Sequence, residues 1–372
     1  MSIAVPTSVT RSGSGRSLRD NLRRFADAAV TPLTFDEVLD VFHPLRRGAE
    51  DLRAKIVEVV PETDQSATIV LQPGRDWTGH VPGQYVRVGV DVDGVRMWRT
   101  YSLTHGPRAD RRISITVKAI PGGVVSNYLV HRAPVGQMIQ LAQAEGEFVL
   151  PQPLPDRLLL VTAGSGITPV IGMLRNLFSR RQPPAADIVL VHVNVDESAA
   201  IFRDELRALG ADGRITLVER YDDQHGILDV AQLETLVPDL TERLTYACGP
   251  AGLLDALEKH HAERGLPLTT ERFRSQLVES GEGGVVTFTS GTVVEADGAT
   301  PILDAAESAG VLMPSGCRMG ICMGCVIPLK EGAVRDLRNG AITTAVPGET
   351  GPGGVPIQTC INAAAGPCTI AH

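Results

Sequence analysis

Four cysteines constrain this chain more than any other feature. Cys317, Cys322 and Cys325 stand in a C-x4-C-x2-C loop, and Cys360 follows after 34 intervening residues. Three thiols crowded into nine residues point to a metal site rather than a disulfide framework. The spacing is that of plant-type 2Fe–2S ligation, and soft thiolate sulfur is the donor such clusters take. A structural zinc site usually pairs two short knuckles, which this pattern does not do. Ser315, Gly316, Gly320 and Gly324 let the backbone pass close to a cluster and aim N–H groups at its sulfurs. Cys368 is a second candidate for the fourth ligand. Cys360 is the better one, because it ends the apolar stretch VPIQTCI, and Cys368 then reads as a free thiol near the terminus.

At ~150 residues per domain, 372 residues leave room for two or three domains. Residues 1–50 read as a partly helical extension, with helical spacing over 18–30 and 34–42. Its first 24 residues carry five arginines against Asp20. That is a solvated tail, or else a contact for an acidic partner or a membrane surface. Residues 51–152 read as an antiparallel β-barrel: AKIVEVV, SATIVLQP, QYVRVGVDVDG, RMWRTYSLT and RRISITVKA alternate or run β-rich between turn signals. Residues 153–273 change character. LLLVTAG, DIVLVHVNV, RITLVER and RLTYACG are apolar strands separated by helical patterns, which implies a parallel sheet with crossover helices. Residues 274–284 read as a linker. Residues 285–372 open with a hairpin and a helix begun by Thr300 and Pro301, then enter the cysteine loop. The fold class expected is multidomain, α+β and α/β.

Lysine and arginine total 35 against 43 acidic residues, a net charge of −8. No nucleic acid is expected as a partner, since phosphates need a basic face. The uncharged run Leu158 to Leu174 is 17 residues, holds Gly164, Gly166 and Pro169, and falls short of the ~20 residues a spanning helix needs. The arginines near the start have no apolar run after them, so no secretory signal is read and a cytoplasmic location is expected. No histidine pair has helical metal-ligand spacing. Residues 285–372 hold seven acids against four basic residues, which favours a basic docking patch on a partner and salt-sensitive association.

Two further constellations carry chemistry. Arg99-Thr100-Tyr101-Ser102 closes a strand, and period-two alternation sends Arg99 and Tyr101 to one face, Thr100 and Ser102 to the other. An arginine fork suits a phosphate, a tyrosine ring can pack on an isoalloxazine, and a serine hydroxyl can bond a ring nitrogen. Gly122 and Gly123 precede a helical segment that includes Ser126, a ready anion site from free N–H groups and the helix dipole. A pyrophosphate would fit there, favouring FAD over FMN. LLLVTAGSGITPV is strand, glycine loop and helix, with Gly164, Gly166 and Thr168 in the turn; Pro169 replaces the last glycine of the dinucleotide fingerprint. Cys248-Gly249-Pro250 ends another strand. Both motifs sit where ligands bind open α/β sheets.

In their order, R-x-Y-S, G-G-x-x-S, G-S-G-I-T-P, C-G-P and the cysteine loop resemble the ferredoxin–NADP⁺ reductase superfamily, over roughly residues 51–372. The arrangement looks like its three-domain members with a C-terminal plant-type ferredoxin domain of β-grasp fold. The extension is most similar to actinobacterial reductases that serve membrane acyl-CoA desaturases. The resemblance implies FAD, a 2Fe–2S cluster and NADPH or NADH as cofactors. Arg99, Tyr101 and Ser102 would contact the flavin, and Gly122, Gly123 and Ser126 its pyrophosphate. Gly164, Gly166, Thr168, Gly249 and Pro250 would hold the pyridine nucleotide, with Cys248 near the nicotinamide; Ser102 and Cys248 are the catalytic candidates. Cys317, Cys322, Cys325 and Cys360 would ligate the cluster. Electrons would pass to an acceptor protein: a membrane desaturase, at the inner face of the membrane, or a soluble oxygenase. A redox sensor is the rival from another class, and it has no need of a nicotinamide site. The stretch Asn194 to Ser198, with Arg203 and Arg220 beyond, leaves NADPH and NADH both open.

Overall fold

Alternating apolar residues lay down the first of three sheets in a computed structural model. It describes residues 42–43, 45–46, 52–92, 95–183, 185–273, 281–316, 318, 320, 323–338, 340–347 and 353–372. The helices expected over 18–30 and most of 34–42, the linker as far as 280, and Cys317 and Cys322 lie outside these residues.

The first sheet holds β1 (Arg53–Thr63), β2 (Ser66–Pro73), β3 (Tyr85–Val92), β4 (Val95–Ser102), β5 (Ile113–Lys118) and β6 (Met138–Leu141), in the order β4-β3-β6-β1-β2-β5. Its pairings are antiparallel, and a bridge from Leu103 to Ile115 joins the two edges, closing a barrel. Ile56, Ile69, Val86, Val88 and Ile115 fill it from alternate positions, and Val125 and Leu129 of helix α1 (Val124–His131) pack against them. The sequence pattern omits β6, because four residues are too few to display a period.

The second sheet is parallel: β7 (Arg157–Ala163), β8 (Asp187–Asn194), β9 (Thr216–Tyr221), β10 (Leu244–Cys248) and β11 (Leu268–Glu271), in the order β11-β10-β7-β8-β9. Helices α2 (Ile167–Phe178), α3 (Arg203–Ala211) and α4 (Ala251–Arg264) provide crossovers. Separate apolar clusters cover its two faces, which is why these strands read as unbroken apolar runs. Strand β11 escapes that reading, since after Leu268 it continues Thr269-Thr270-Glu271. The chain leaves β7 in one direction and returns at β10 on its other side, so the β7 and β10 loops meet at a topological switch point. Arg175 of α2 fixes this sheet to the barrel. Its Nη1 donates to the Thr104 carbonyl at 2.8 Å, while Nε and Nη2 grip both oxygens of Glu205.

One buried cation anchors the second sheet. Arg243 is 5% exposed and pairs with Asp187 at 2.6 Å and Asp239 at 2.7 Å. Its Nη1 also donates to the Asp187 carbonyl at 3.1 Å. R243M is expected to cost about 3 kcal/mol, the lower end for broken buried pairs, because both aspartates keep some solvent. Calorimetry should show the transition of this domain lowered by roughly 10 °C; an unmoved transition would refute the anchoring role.

The third sheet is mixed: β12 (Gly281–Phe288), β13 (Val293–Gly298), β14 (Val326–Asp336), β15 (Ile342–Ala345), β16 (Val355–Gln358) and β17 (Asn362–Ile370). The order is β13-β12-β17-β14-β15, with β16 also on β14; β12 and β17 run parallel, and helix α5 (Ile302–Ser308) packs Ile302, Leu303 and Ala306 into the core. The expected linker over 274–284 is corrected here, because residues 281–284 already belong to β12. Their glycines mark close backbone approach rather than flexibility. A Cβ on Gly284 would collide with the Gly366 carbonyl, and one on Gly283 with that of Ala296. No helix among the described residues is long and apolar enough to cross a membrane.

Candidate functional site

Strand β4 feeds two cavities through its pleat. Thr100 and Ser102 line a cavity of about 640 Å³ with Tyr85, Glu271 and Phe273. Arg99 and Tyr101 line one of about 510 Å³, and Thr100 and Phe273 border both. Thr100 Oγ1 is buried with no hydrogen-bond partner, so a polar ligand atom is wanted there. Burial raises the pKa of the Tyr101 phenol, with Arg99 opposing. Burial lowers that of the Arg99 guanidinium, and the positive charge of Arg318 adds to the effect.

The glycine turn and α1 build the far end of the second cavity. Gly122 sits at φ +71°, and a Cβ on Gly123 would strike Ser126 Oγ and Ile120. Gly123 caps α1, so the amides of residues 124–126 have no helical acceptor and border the cavity. The Ser126 hydroxyl braces this turn: it accepts from the Ile120 amide and donates to the Gly123 carbonyl, both at 3.3 Å.

At the switch point the nucleotide motifs pack directly on one another. Gly164 has φ +53°, and a Cβ on Gly166 would collide with the Cys248 carbonyl. Thr168 is buried and donates to the Ser165 carbonyl at 2.9 Å, so it shapes the loop. Pro250 caps α4 and Gly249 lies against Ala163. Cys248 is fully buried in the sheet core and lines neither large cavity. Burial, and then Glu271, pushes its thiol well above the usual range.

Glu271 and Phe273 were missed by sequence reasoning. Register pairs Cys248 with Glu271, whose carboxyl borders the cavity that also holds Ser102. Burial pushes this carboxyl up to about 8, and its Oε2 has no hydrogen-bond partner. The available signal was position: the end of a strand beside Cys248-Gly249-Pro250. Among the residues considered for the nucleotide ribose, Asp196 is engaged, with Oδ1 accepting from Ser198 Oγ at 2.6 Å and the Ala199 amide at 3.0 Å. Arg203 pairs with Asp204 and Glu197. Arg220, at the end of β9, donates from Nη2 to the His225 carbonyl at 3.2 Å and keeps a buried Nε without a partner.

The third sheet brings two of the four cysteines together. Cys325 precedes β14 and Cys360 follows β16; pairing of Val326 with Gln358 sets them at one end of the ladder. The Thr359 amide and hydroxyl both donate to the Cys325 carbonyl at 3.1 Å. Both thiols are buried and unbridged, and a hydrogen bond from Cys360 draws the Cys325 thiol down to about 6. That thiolate-forming pair fits an iron–sulfur cluster. Gly320, at φ +74°, could not bear a Cβ against Ile361, and its carbonyl accepts from Gln358 Nε2 at 2.9 Å. Cys368 lies within β17, a free buried thiol that burial pushes up to about 11, in register with Val286 and Gly332.

Family models match all three regions. An oxidoreductase FAD-binding domain covers residues 59–150, an oxidoreductase NAD-binding domain 160–259, and a 2Fe-2S iron-sulfur cluster binding domain 287–363. A protein of Mycobacterium tuberculosis named "NADPH oxidoreductase" is 43% identical, over 94% of this chain and 91% of that one. The ferredoxin reductase component of 3-ketosteroid-9-alpha-monooxygenase from M. tuberculosis is 30% identical, over 77% and 87%. Among solved structures, phthalate dioxygenase reductase superposes with a TM-score of 0.60 at 23% identity, covering 87% of this chain and 98% of that one.

Proposed function

Because this chain belongs to the ferredoxin–NADP⁺ reductase superfamily, among the members with a C-terminal 2Fe–2S domain, we propose how its residues carry electrons and where they send them. It is an NAD(P)H-dependent oxidoreductase with FAD and a 2Fe–2S cluster. When bound, the flavin turns a two-electron hydride donor into single electrons, and the cluster carries them singly. One observation supports the residue assignment above the others: the two cavities meet at Thr100 and Phe273, and the second extends to Cys360.

In this reading the first cavity takes the reacting rings and the second the phosphate arm of FAD. Ser102 and the protonated Glu271 offer hydrogen-bond donors at the first. Tyr101 packs on the flavin, while Arg99 and the amides at Gly123 to Ser126 hold phosphate. Gly164, Gly166, Gly249 and Pro250 leave room for the nucleotide backbone at the switch point. Cys248 stands beside Glu271 in the register of the sheet and keeps its proton. Cys317, Cys322, Cys325 and Cys360 ligate the cluster. The protein's contribution is positioning and exclusion of water rather than acid–base turnover.

The donor proposed is NADPH. Asp196 is occupied by its own turn, whereas Arg220 keeps a free Nε at the end of β9, suited to a 2′-phosphate. An anaerobic absorbance titration with each nucleotide, beside iron and flavin analysis, tests the whole reading. Flavin and cluster bands should both bleach, with two irons per FAD. In R220Q the KM for NADPH should rise about 10- to 100-fold while that for NADH holds, the loss of one charge-assisted bond. An equal response to both would move the preference elsewhere.

The acceptor proposed is an oxygen-activating iron protein. A membrane acyl-CoA desaturase follows from the resemblance of the extension. A soluble oxygenase is the second reading, favoured by relatives named as monooxygenase reductase components. Turnover reconstituted with one and not the other decides between them.

A further inference from the structure

We infer that the ferredoxin domain supplies a ligand to the flavin's phosphates: Arg318, from the cysteine loop itself. The inference rests on the placement of the phosphate arm in the second cavity. One wall of that cavity comes from the barrel, with Arg99 and the turn at Gly122 and Gly123. The other comes from the third sheet, with Asp304, Glu307, Arg318 and Cys360.

Charge on the second wall makes the case. Asp304 and Glu307 stand three residues apart on α5 and face the cavity. Two bare carboxylates opposite a pyrophosphate would repel it. Arg318 lies against both, paired with Asp304 and with both oxygens of Glu307. Its side chain is 20% exposed, and its Nε is buried without a hydrogen-bond partner. An unused donor on a guanidinium bordering the cavity assigned to the phosphate arm is what a bridging arginine would present. Its conformation is specialised too: Arg318 holds φ +60°, an uncommon value for a residue with a Cβ. That left-handed residue directly follows Cys317 in the chain. Arg318 therefore screens the two carboxylates and donates to the phosphate, so flavin occupancy is coupled to the cluster loop.

The test is titration of deflavinated protein with FAD, followed by flavin fluorescence and at graded salt. R318Q should weaken FAD binding about 10- to 100-fold with iron content unchanged, and R318K should recover part of it. D304N/E307Q should shift binding the other way, tightening it severalfold, because the carboxylates no longer compete for Arg318. This second variant keeps the inference exposed if R318Q fails to assemble its cluster. R99Q serves as the control on the underlying site. If R99Q weakens FAD binding while R318Q and D304N/E307Q bind like the parent, the ferredoxin-side ligand is wrong and the phosphate site stands. If R99Q also binds normally, the phosphate site itself is misplaced and the inference falls with it.

Discussion

Replacing Cys360 with serine is expected to abolish electron delivery to one-electron protein acceptors while leaving flavin chemistry intact. The physical reason is the ladder that pairs Val326 with Gln358, which puts Cys360 beside Cys325 in a buried, thiolate-favouring pocket. Serine oxygen is a harder and far less acidic donor than thiolate sulfur. C360S should lose the visible cluster bands and most of its iron. Cytochrome c reduction should fall at least about 100-fold, whereas ferricyanide reduction, which can draw on the flavin directly, should stay within about twofold. C368S provides the contrast. Its thiol lies in the β17 core, so iron content should be unchanged. Persistence of cytochrome c reduction in C360S would break the proposed electron path. Loss of iron in C368S would reassign the fourth ligand.

The second large effect is a pH break set by Glu271. Burial lifts its carboxyl from 4.5 to about 8, so at neutral pH it is a neutral acid that can donate a hydrogen bond into the cavity. Stopped-flow flavin reduction by NADPH should be flat below pH 8 and fall about tenfold per pH unit above it. E271Q keeps a donor but cannot ionise. It should react within about tenfold of the parent, with no break. C248A should retain the break, because burial already keeps that thiol protonated. A break near pH 8 that survives in E271Q would assign the titration to another group. Stability carries the same sign. The folded state holds a proton that the unfolded chain releases near 4.5, so this contribution is full below pH 4.5 and lost as pH rises through about 8. The fall in Tm between those limits should be shallower in E271Q.

Much of this was legible in sequence because the signals were local. Strong alternation named five of the six barrel strands, and apolar runs named four of the five parallel ones. Strand β6 was too short, and β11 too polar, for either pattern. The glycines at 281–284 looked like a flexible linker, since composition cannot distinguish freedom from close backbone contact. Glu271 belongs to no motif, and Arg318 is a spacer position of the cysteine loop, where the spacing demands no particular side chain. Only placement, at the end of a strand beside Cys248 and on the wall facing Arg99, gives them a candidate role.

Local signals along the chain were enough to say what each segment could become. Cysteine spacing named the cluster, period-two and apolar runs named the kinds of sheet, and glycines before helices marked phosphate-sized turns. Those properties depend on neighbours along the chain. Folding then settled which groups face one another across 100 residues and more. Ser102 and Glu271 share one cavity, as do Arg99 and Arg318 another. Burial then moved Glu271 and Cys248 away from their ordinary ionisation. Desolvation and charge proximity depend on three-dimensional surroundings, and no spacing along a chain encodes them directly.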